Sequence, residues 1–257
     1  MPSEKVTFAG SAGDDLAAVV ELPEDGEPLG YALFAHCFTC TKDILSARHL
    51  TAGLARRGFA VLRFDFTGLG ASTGDFSNTN FTSNVQDLSL AAKFMESRSM
   101  APKLLVGHSL GGAAVLAAAR EMPSVTLVAT IGAPAEPAHV RKLFTGSEEE
   151  IESEGEAEVL LSGRPFRIRR QFLEDIEAVK MEEYVRGLGR ELVIFHSVAD
   201  KTVGIENARK IYEMARHPKS FVSLDRADHL LGDRQDAEFV SNLLSVWGAR
   251  HLEEDGR

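Results

Sequence analysis

No stretch of this 257-residue chain comes near 18 consecutive apolar residues, so nothing in it reads as a membrane span. Basic residues are in deficit. With 28 Lys and Arg against 38 Asp and Glu the net charge is −10, which speaks against a nucleic-acid or anionic-membrane surface. The start, Met1-Pro2-Ser3-Glu4-Lys5, lacks the apolar core of a signal peptide, and the cytoplasm is the expected compartment. No Cys/His spacing resembles a zinc site, and there is no His-Glu-x-x-His, no Gly-Lys-Ser/Thr phosphate loop and no internal repeat. A metal or nucleotide cofactor is therefore not expected.

Cysteine is almost absent too. Its two copies form Cys37-Phe38-Thr39-Cys40. A redox pair normally opens a helix in a thioredoxin-like unit, whereas this one follows an apolar strand and precedes Thr41-Lys42-Asp43. Two reduced thiols in a loop are the expectation, with thiol redox chemistry as the alternative.

What is present is an ordinary globular composition, 44% apolar and 26% charged, on a length that suits one large α/β domain or two small ones. The organising stretch is Val106-Gly107-His108-Ser109-Leu110-Gly111-Gly112. Lys103 to Val106 reads as a buried strand and Ala113 to Ala119 as a helix. A strand that turns at once into a helix through Gly-x-Ser-x-Gly is a nucleophile elbow. The flanking glycines let neighbouring backbone approach, and the helix start aims unpaired N–H groups at the serine.

Around it, strands alternate with helices. Val6–Phe8 and Leu16–Leu22 read as an antiparallel hairpin, and Leu29–Ala35 and Phe59–Phe64 as buried strands. A helix carries Ala47, Leu50, Leu54 and Arg57 and stops at Gly58. Gly68, Gly70 and Gly74 are spaced one residue too long for a dinucleotide fingerprint and lead into a polar stretch, so they read as a loop near the site. Ser83-Asn84-Val85-Gln86 has the form of a capping box for a helix with Val85, Leu88, Ala92 and Met95 on one face. Val125–Ile131, Glu191–Phe195 and Phe221–Leu224 are further strands. Ile205 to Ala215 marks a helix, and a last helix turns Ala237, Val240, Leu244 and Trp247 inward. The pattern implies a mostly parallel sheet with helices on both faces.

Residues 134–188 break the rhythm, with an acidic run Glu148–Glu158 and basic Arg164, Arg167, Arg169 and Arg170. A connection of that length should have structure of its own. It is read as a lid inserted into a core made of 1–133 and 189–257, its charges a solvated surface.

A serine on an elbow needs a base, and the base needs an orienting acid. Asp200 follows the strand Glu191–Phe195, and His229 follows the strand ending at Leu224. Ser109, Asp200 and His229 are thus the expected catalytic residues, with Asp225 and Asp228 as rival acids. His36, His108 and His196, at other strand ends, are expected to be packed supports; His49, His139, His217 and His251 carry no assigned role. The oxyanion hole is expected from the backbone N–H of Leu110 and of Phe38, with Cys37 the alternative donor.

The His36–Cys40 segment, the turn Phe64-Asp65-Phe66-Thr67-Gly68-Leu69-Gly70, Gly-His-Ser-Leu-Gly-Gly, Asp200 and Asp228-His229-Leu230 together resemble the α/β-hydrolase superfamily. Within it, the chain is most similar to the hydrolase half of bacterial proteins in which that domain precedes an OsmC-like domain. The 257 residues are read without that second half, and none of its thiol chemistry is carried over into the expectations. Cys37 also stands where many relatives have glycine, so the resemblance does not determine the oxyanion loop. The resemblance implies an α/β-hydrolase fold with an inserted lid. It also implies a cofactor-free serine hydrolase that cleaves small-molecule carboxylic esters through an acyl-enzyme. The same triad would serve a peptidase or thioesterase. A non-catalytic binding scaffold and a Cys37/Cys40 redox protein are the alternatives from other classes.

Overall fold

In the computed structural model, which describes residues 2–254, one eight-stranded sheet carries the chain. β1 (Ser3–Ala9) and β2 (Asp15–Glu21) form the expected antiparallel hairpin at one edge. β2 joins β4 (Phe59–Phe64) antiparallel. From there the ladder is parallel through β3 (Gly30–Ala35), β5 (Leu104–His108), β6 (Leu127–Ile131), β9 (Glu191–His196) and β10 (Lys219–Ser223). The spatial order is β1-β2-β4-β3-β5-β6-β9-β10. Every residue of β4, β5 and β6 is buried, which explains why they are apolar but for Arg63, His108 and Thr130: both faces of the sheet are covered.

The two-residue period of the strands divides the core in two. Along β3, Ala32 and Phe34 face α1 (Leu45–Ala55) and α8 (Arg234–Glu254), which supply Leu50, Leu54, Val240 and Leu244. Leu33 and Ala35 face the other layer. That layer is built from α2 (Phe81–Ser97), α3 (Leu110–Ala118), α6 (Met181–Arg186) and α7 (Glu206–Met214). Among the described residues, no helix is long and apolar enough to cross a membrane.

Two local expectations are corrected. The helix read from the Ser83 capping box starts at Phe81, and its cap is Asn80, whose side chain accepts the Ser83 N–H at 2.8 Å while Ser83 Oγ accepts the Asn80 N–H at 2.9 Å. Ser83 is thus the second member of the box, because extending the helix buries Phe81 completely. Cys37 and Cys40 are joined in a disulfide rather than left as two thiols. The three-residue spacing and the tight turn between them bring the sulfurs together.

Between β6 and β9 the chain leaves the sheet. A 3-10 segment (Pro137–Phe144) leads to α4 (Glu148–Glu154), a hairpin of β7 (Glu156–Leu161) and β8 (Arg164–Arg169), and α5 (Arg170–Ala178). The two charge runs answer one another. Arg141 pairs with Glu148, Glu152 and Glu177, and Arg167 and Arg169 each reach Glu156 at 3.1 Å. Gln171 and Asp175 of α5 bind Asn80 and Thr82 at the start of α2, which moors the segment to the core.

Candidate active site

The elbow comes from its glycines. A Cβ on Gly107 would lie 2.2 Å from the Gly111 carbonyl oxygen, and one on Gly111 would lie 2.4 Å from the carbonyls of both Ala35 and His36. Strand, turn and helix can approach this closely only without side chains. β5 runs on through Gly107 and His108, two residues further than the apolar pattern shows, because His108 pairs with Ile131. Ser109 then takes φ 54°, and α3 begins at the next residue. A non-glycine residue at positive φ is strained, and here its N–H is tied to the Ile131 carbonyl at 2.8 Å.

The residues singled out from sequence meet at this point. Ser109 Oγ lies 2.9 Å from His229 Nε2, and His229 Nδ1 lies 2.7 Å from Asp200 Oδ2. The serine hydroxyl donates to the ring and the ring donates to the carboxylate. The other Asp200 oxygen accepts the N–H groups of Thr202 and Val203 at 2.8 and 2.9 Å. Burial alone would raise the Asp200 carboxyl, but the hydrogen bonds from His229 and from those backbone groups outweigh it and hold the pKa below the usual range. Asp225 and Asp228 turn elsewhere. Asp225 engages Ser223, and Asp228 accepts the Gly232 N–H at 2.9 Å.

The three strand-end histidines are supports. His196 Nε2 donates to the Val203 carbonyl at 2.7 Å, which braces the acid loop. His36 Nδ1 donates to the Cys37 carbonyl at 2.8 Å. His108 Nε2 donates to the His229 carbonyl at 2.6 Å and fixes the backbone from which the base projects. Burial, with the nearby His229 second, pushes His108 down to about 4, so at neutral pH it is an uncharged donor. Because the unfolded chain takes up this proton near 6.5, stability falls as pH drops from 6.5 towards 4. The contribution is at most about 3 kcal/mol. Urea unfolding at pH 7 and pH 4.5 should show this loss in the parent and a flatter profile in His108→Gln. Equal pH slopes in the two would contradict the assignment.

The two expected oxyanion donors belong to segments next to the serine, one following it in the chain and one lining the same cleft. Leu110 opens α3, so its N–H has no helical acceptor. Phe38 sits in the loop after β3, and among the described residues its N–H meets no acceptor. Its ring packs against Phe76, Phe144 and Phe172, the last two from the inserted segment. The Cys37 alternative lies beside it, its carbonyl held by His36.

A cleft of about 300 Å³ opens over Ser109 and His229. The core contributes Cys37–Cys40, Val203 and Leu230, and the inserted segment contributes Pro134, His139, Val140, Lys142, Leu143 and Leu160–Ser162. Larger hollows lie elsewhere, one around Pro123, Arg190 and Pro218, but none of them contains the serine or the base.

Some residues at this site were given no role from the sequence. Asp65, fully buried after β4, accepts the Lys42 backbone N–H at 2.6 Å and its ammonium at 2.7 Å, and the Ala71 N–H at 2.9 Å. It thereby anchors the far end of the Phe38 loop. Arg164, from the hairpin, donates to the Thr39 carbonyl in the same loop. An aspartate directly after a fully buried strand, in the turn 64–70, was the available hint for the first; nothing local marks the second.

A parallel sheet with a serine at a strand–helix elbow, and an acid and a histidine presented after later strands, defines the α/β-hydrolase class. The chain belongs to the alpha/beta hydrolase family, whose model matches residues 32–243. It is 52% identical to the esterase domain of a Rhodothermus marinus protein, over 97% of this chain and 99% of that one, with a TM-score of 0.80. Est1E from Butyrivibrio proteoclasticus, solved with ferulic acid bound, superposes with a TM-score of 0.82 over 98% and 100% of the two chains at 19% identity. That likeness is one of fold. No curated protein matches the chain.

Proposed function

We propose that this α/β-hydrolase is a bacterial cytoplasmic carboxylesterase. The reading rests above all on the unbroken hydrogen-bond run from Ser109 through His229 to Asp200 at the base of a cleft. The 52% identity to an esterase domain supports it. Ser109 Oγ attacks the ester carbonyl while His229 Nε2 takes its proton, and Asp200 holds the ring and stabilises the imidazolium. The N–H groups of Leu110 and Phe38 receive the oxyanion. His229 then protonates the leaving alcohol, and a water activated by the same ring releases the acid.

The inserted segment 134–188 is the lid. Beside His139, Lys142 and Ser162 it brings Val140, Leu143, Leu160 and Leu161 to the cleft, and Leu143 and Leu160, with Leu230 of the core, stay exposed around the rim at 45%, 71% and 51%. Such a lining suits an ester with an uncharged hydrocarbon group. Each methylene buried contributes about 0.8 kcal/mol, so kcat/KM should rise about fourfold per added carbon until the cleft is full. A p-nitrophenyl acyl series from acetate to decanoate checks this. A flat series would contradict the apolar-cleft assignment.

The function itself is tested by comparing simple esters, acyl thioesters and aminoacyl amides on one preparation. Esters should turn over fastest. Preference for amides or thioesters would transfer the site to a peptidase or thioesterase, and no turnover of any class would leave a binding scaffold.

A further inference from the structure

The Cys37–Cys40 disulfide encloses the residue assigned as second oxyanion donor, and both cysteines line the cleft that holds Ser109. We propose that this bond is a thiol–disulfide exchange site for a dithiol, and that its reduction slows ester hydrolysis by releasing the Phe38 N–H. The proposal rests on the esterase reading.

The argument runs through one peptide unit. The Cys37 carbonyl and the Phe38 N–H belong to the same planar group and point in opposite directions. Whatever aims the carbonyl therefore aims the donor. Two groups hold that carbonyl: His36 Nδ1 at 2.8 Å and the Cys40 N–H at 3.1 Å. The second depends on Cys40 staying folded back over the turn, which the disulfide enforces. Thr39, inside the turn, has φ 59°, a region that a β-branched residue occupies only when its surroundings hold it there. Once the bond is cut, Thr39 can relax, Cys40 draws away, and the Cys37–Phe38 peptide loses half its support. The ends of the loop stay anchored by His36 and by the Lys42–Asp65 pair, so the change is local to the donor.

Cys37 is buried and Cys40 is partly open to the cleft, so a thiolate from solvent attacks Cys40 Sγ. The Cys37–Cys40 bond breaks, its electron pair leaves on Cys37 Sγ, and that sulfur takes a proton. The second thiolate of the dithiol attacks the mixed disulfide, Cys40 leaves and is protonated, and the reductant departs as its own disulfide. Two electrons and two protons have passed to the pair. In a reducing compartment such a bond forms transiently and reports oxidation.

The test uses the intact chain. The protein, fully oxidised, is assayed on p-nitrophenyl acetate, reduced with dithiothreitol without denaturant, desalted anaerobically and reassayed. Alkylation and mass measurement count thiols at each stage. The expected result is two thiols gained, kcat lower by about tenfold with KM within about twofold, and full recovery on reoxidation; loss of a whole oxyanion donor sets the upper limit at 10²- to 10³-fold. The Cys37→Ser/Cys40→Ser double variant should work at the reduced rate and ignore the dithiol. The wild-type cycle stands without it if the variant does not fold. A bond that the dithiol cannot open in the folded protein, a fall in kcat smaller than about threefold, a rise, or a loss that reoxidation does not restore would each overturn the proposal. Oxidised protein with no esterase activity would overturn the parent reading as well. Active protein indifferent to reduction would overturn this inference alone.

Discussion

Ser109→Ala should abolish ester hydrolysis, with kcat falling on the order of 10³- to 10⁶-fold while the protein stays folded. The size follows from what is lost. Among the described residues no other hydroxyl is hydrogen-bonded to the ring of His229, so the variant should retain only cleft binding and the proposed N–H donors of Leu110 and Phe38. The substitution itself is small. The Ser109 N–H keeps its bond to Ile131, and alanine tolerates φ 54° about as poorly as serine does, so the thermal midpoint should move little. Steady-state kinetics on an activated aryl ester, with circular dichroism alongside, checks both halves. A variant with more than about a tenth of parental kcat would mean that the hydroxyl does not do the chemistry.

Asp200→Asn should cost roughly 10⁴-fold in kcat. An amide can offer the same shape to the N–H groups of Thr202 and Val203, so the loop should survive. Its NH₂, however, faces His229 Nδ1 and favours the tautomer with the proton on Nε2, where it cannot accept from Ser109. The imidazolium formed on attack also loses its counter-charge. KM should change far less than kcat, because Asp200 lies behind the ring and away from the cleft lining. An equal rise in KM with kcat preserved would assign Asp200 to substrate binding instead.

How far the chain could be read without coordinates depended on the range of each signal. The sheet and its alternation with helices were legible because burial on both faces writes continuous apolar runs into β3 to β6. The elbow was legible because close backbone packing leaves no alternative to glycine at 107 and 111. Asp200 and His229 could be placed through the rule that such groups follow strand ends; their distances could not. The buried Asp65–Lys42 pair and the Arg164 bond to Thr39 were missed for one physical reason: each depends on which segments meet in space, and the partners are 23 and 125 residues apart. The Asn80 cap is local, three residues from Ser83, and was missed because two overlapping polar starts compete for one helix. The disulfide was misjudged because the rule for paired cysteines concerns helix starts, whereas this pair closes a strand-end turn.

The inserted segment shows the same limit. Its charge runs read correctly as surface, but their mutual pairing through Arg141, Glu156 and Arg169 appears only once the hairpin is formed. That hairpin brings Leu160 and Leu161 to the cleft and Arg164 to the Thr39 carbonyl in the loop after β3. The inserted segment and the loop after β3 are therefore in direct contact.

The account stands on a hydroxyl made nucleophilic by an imidazole 2.9 Å away. Incubation with a fluorophosphonate, followed by proteolysis and peptide mass spectrometry, reads that property directly. The prediction is a single stoichiometric adduct on the peptide containing Ser109, absent from Ser109→Ala and much slowed in a variant lacking the His229 ring. A folded protein that stays unlabelled, or carries its adduct on another residue, would contradict it.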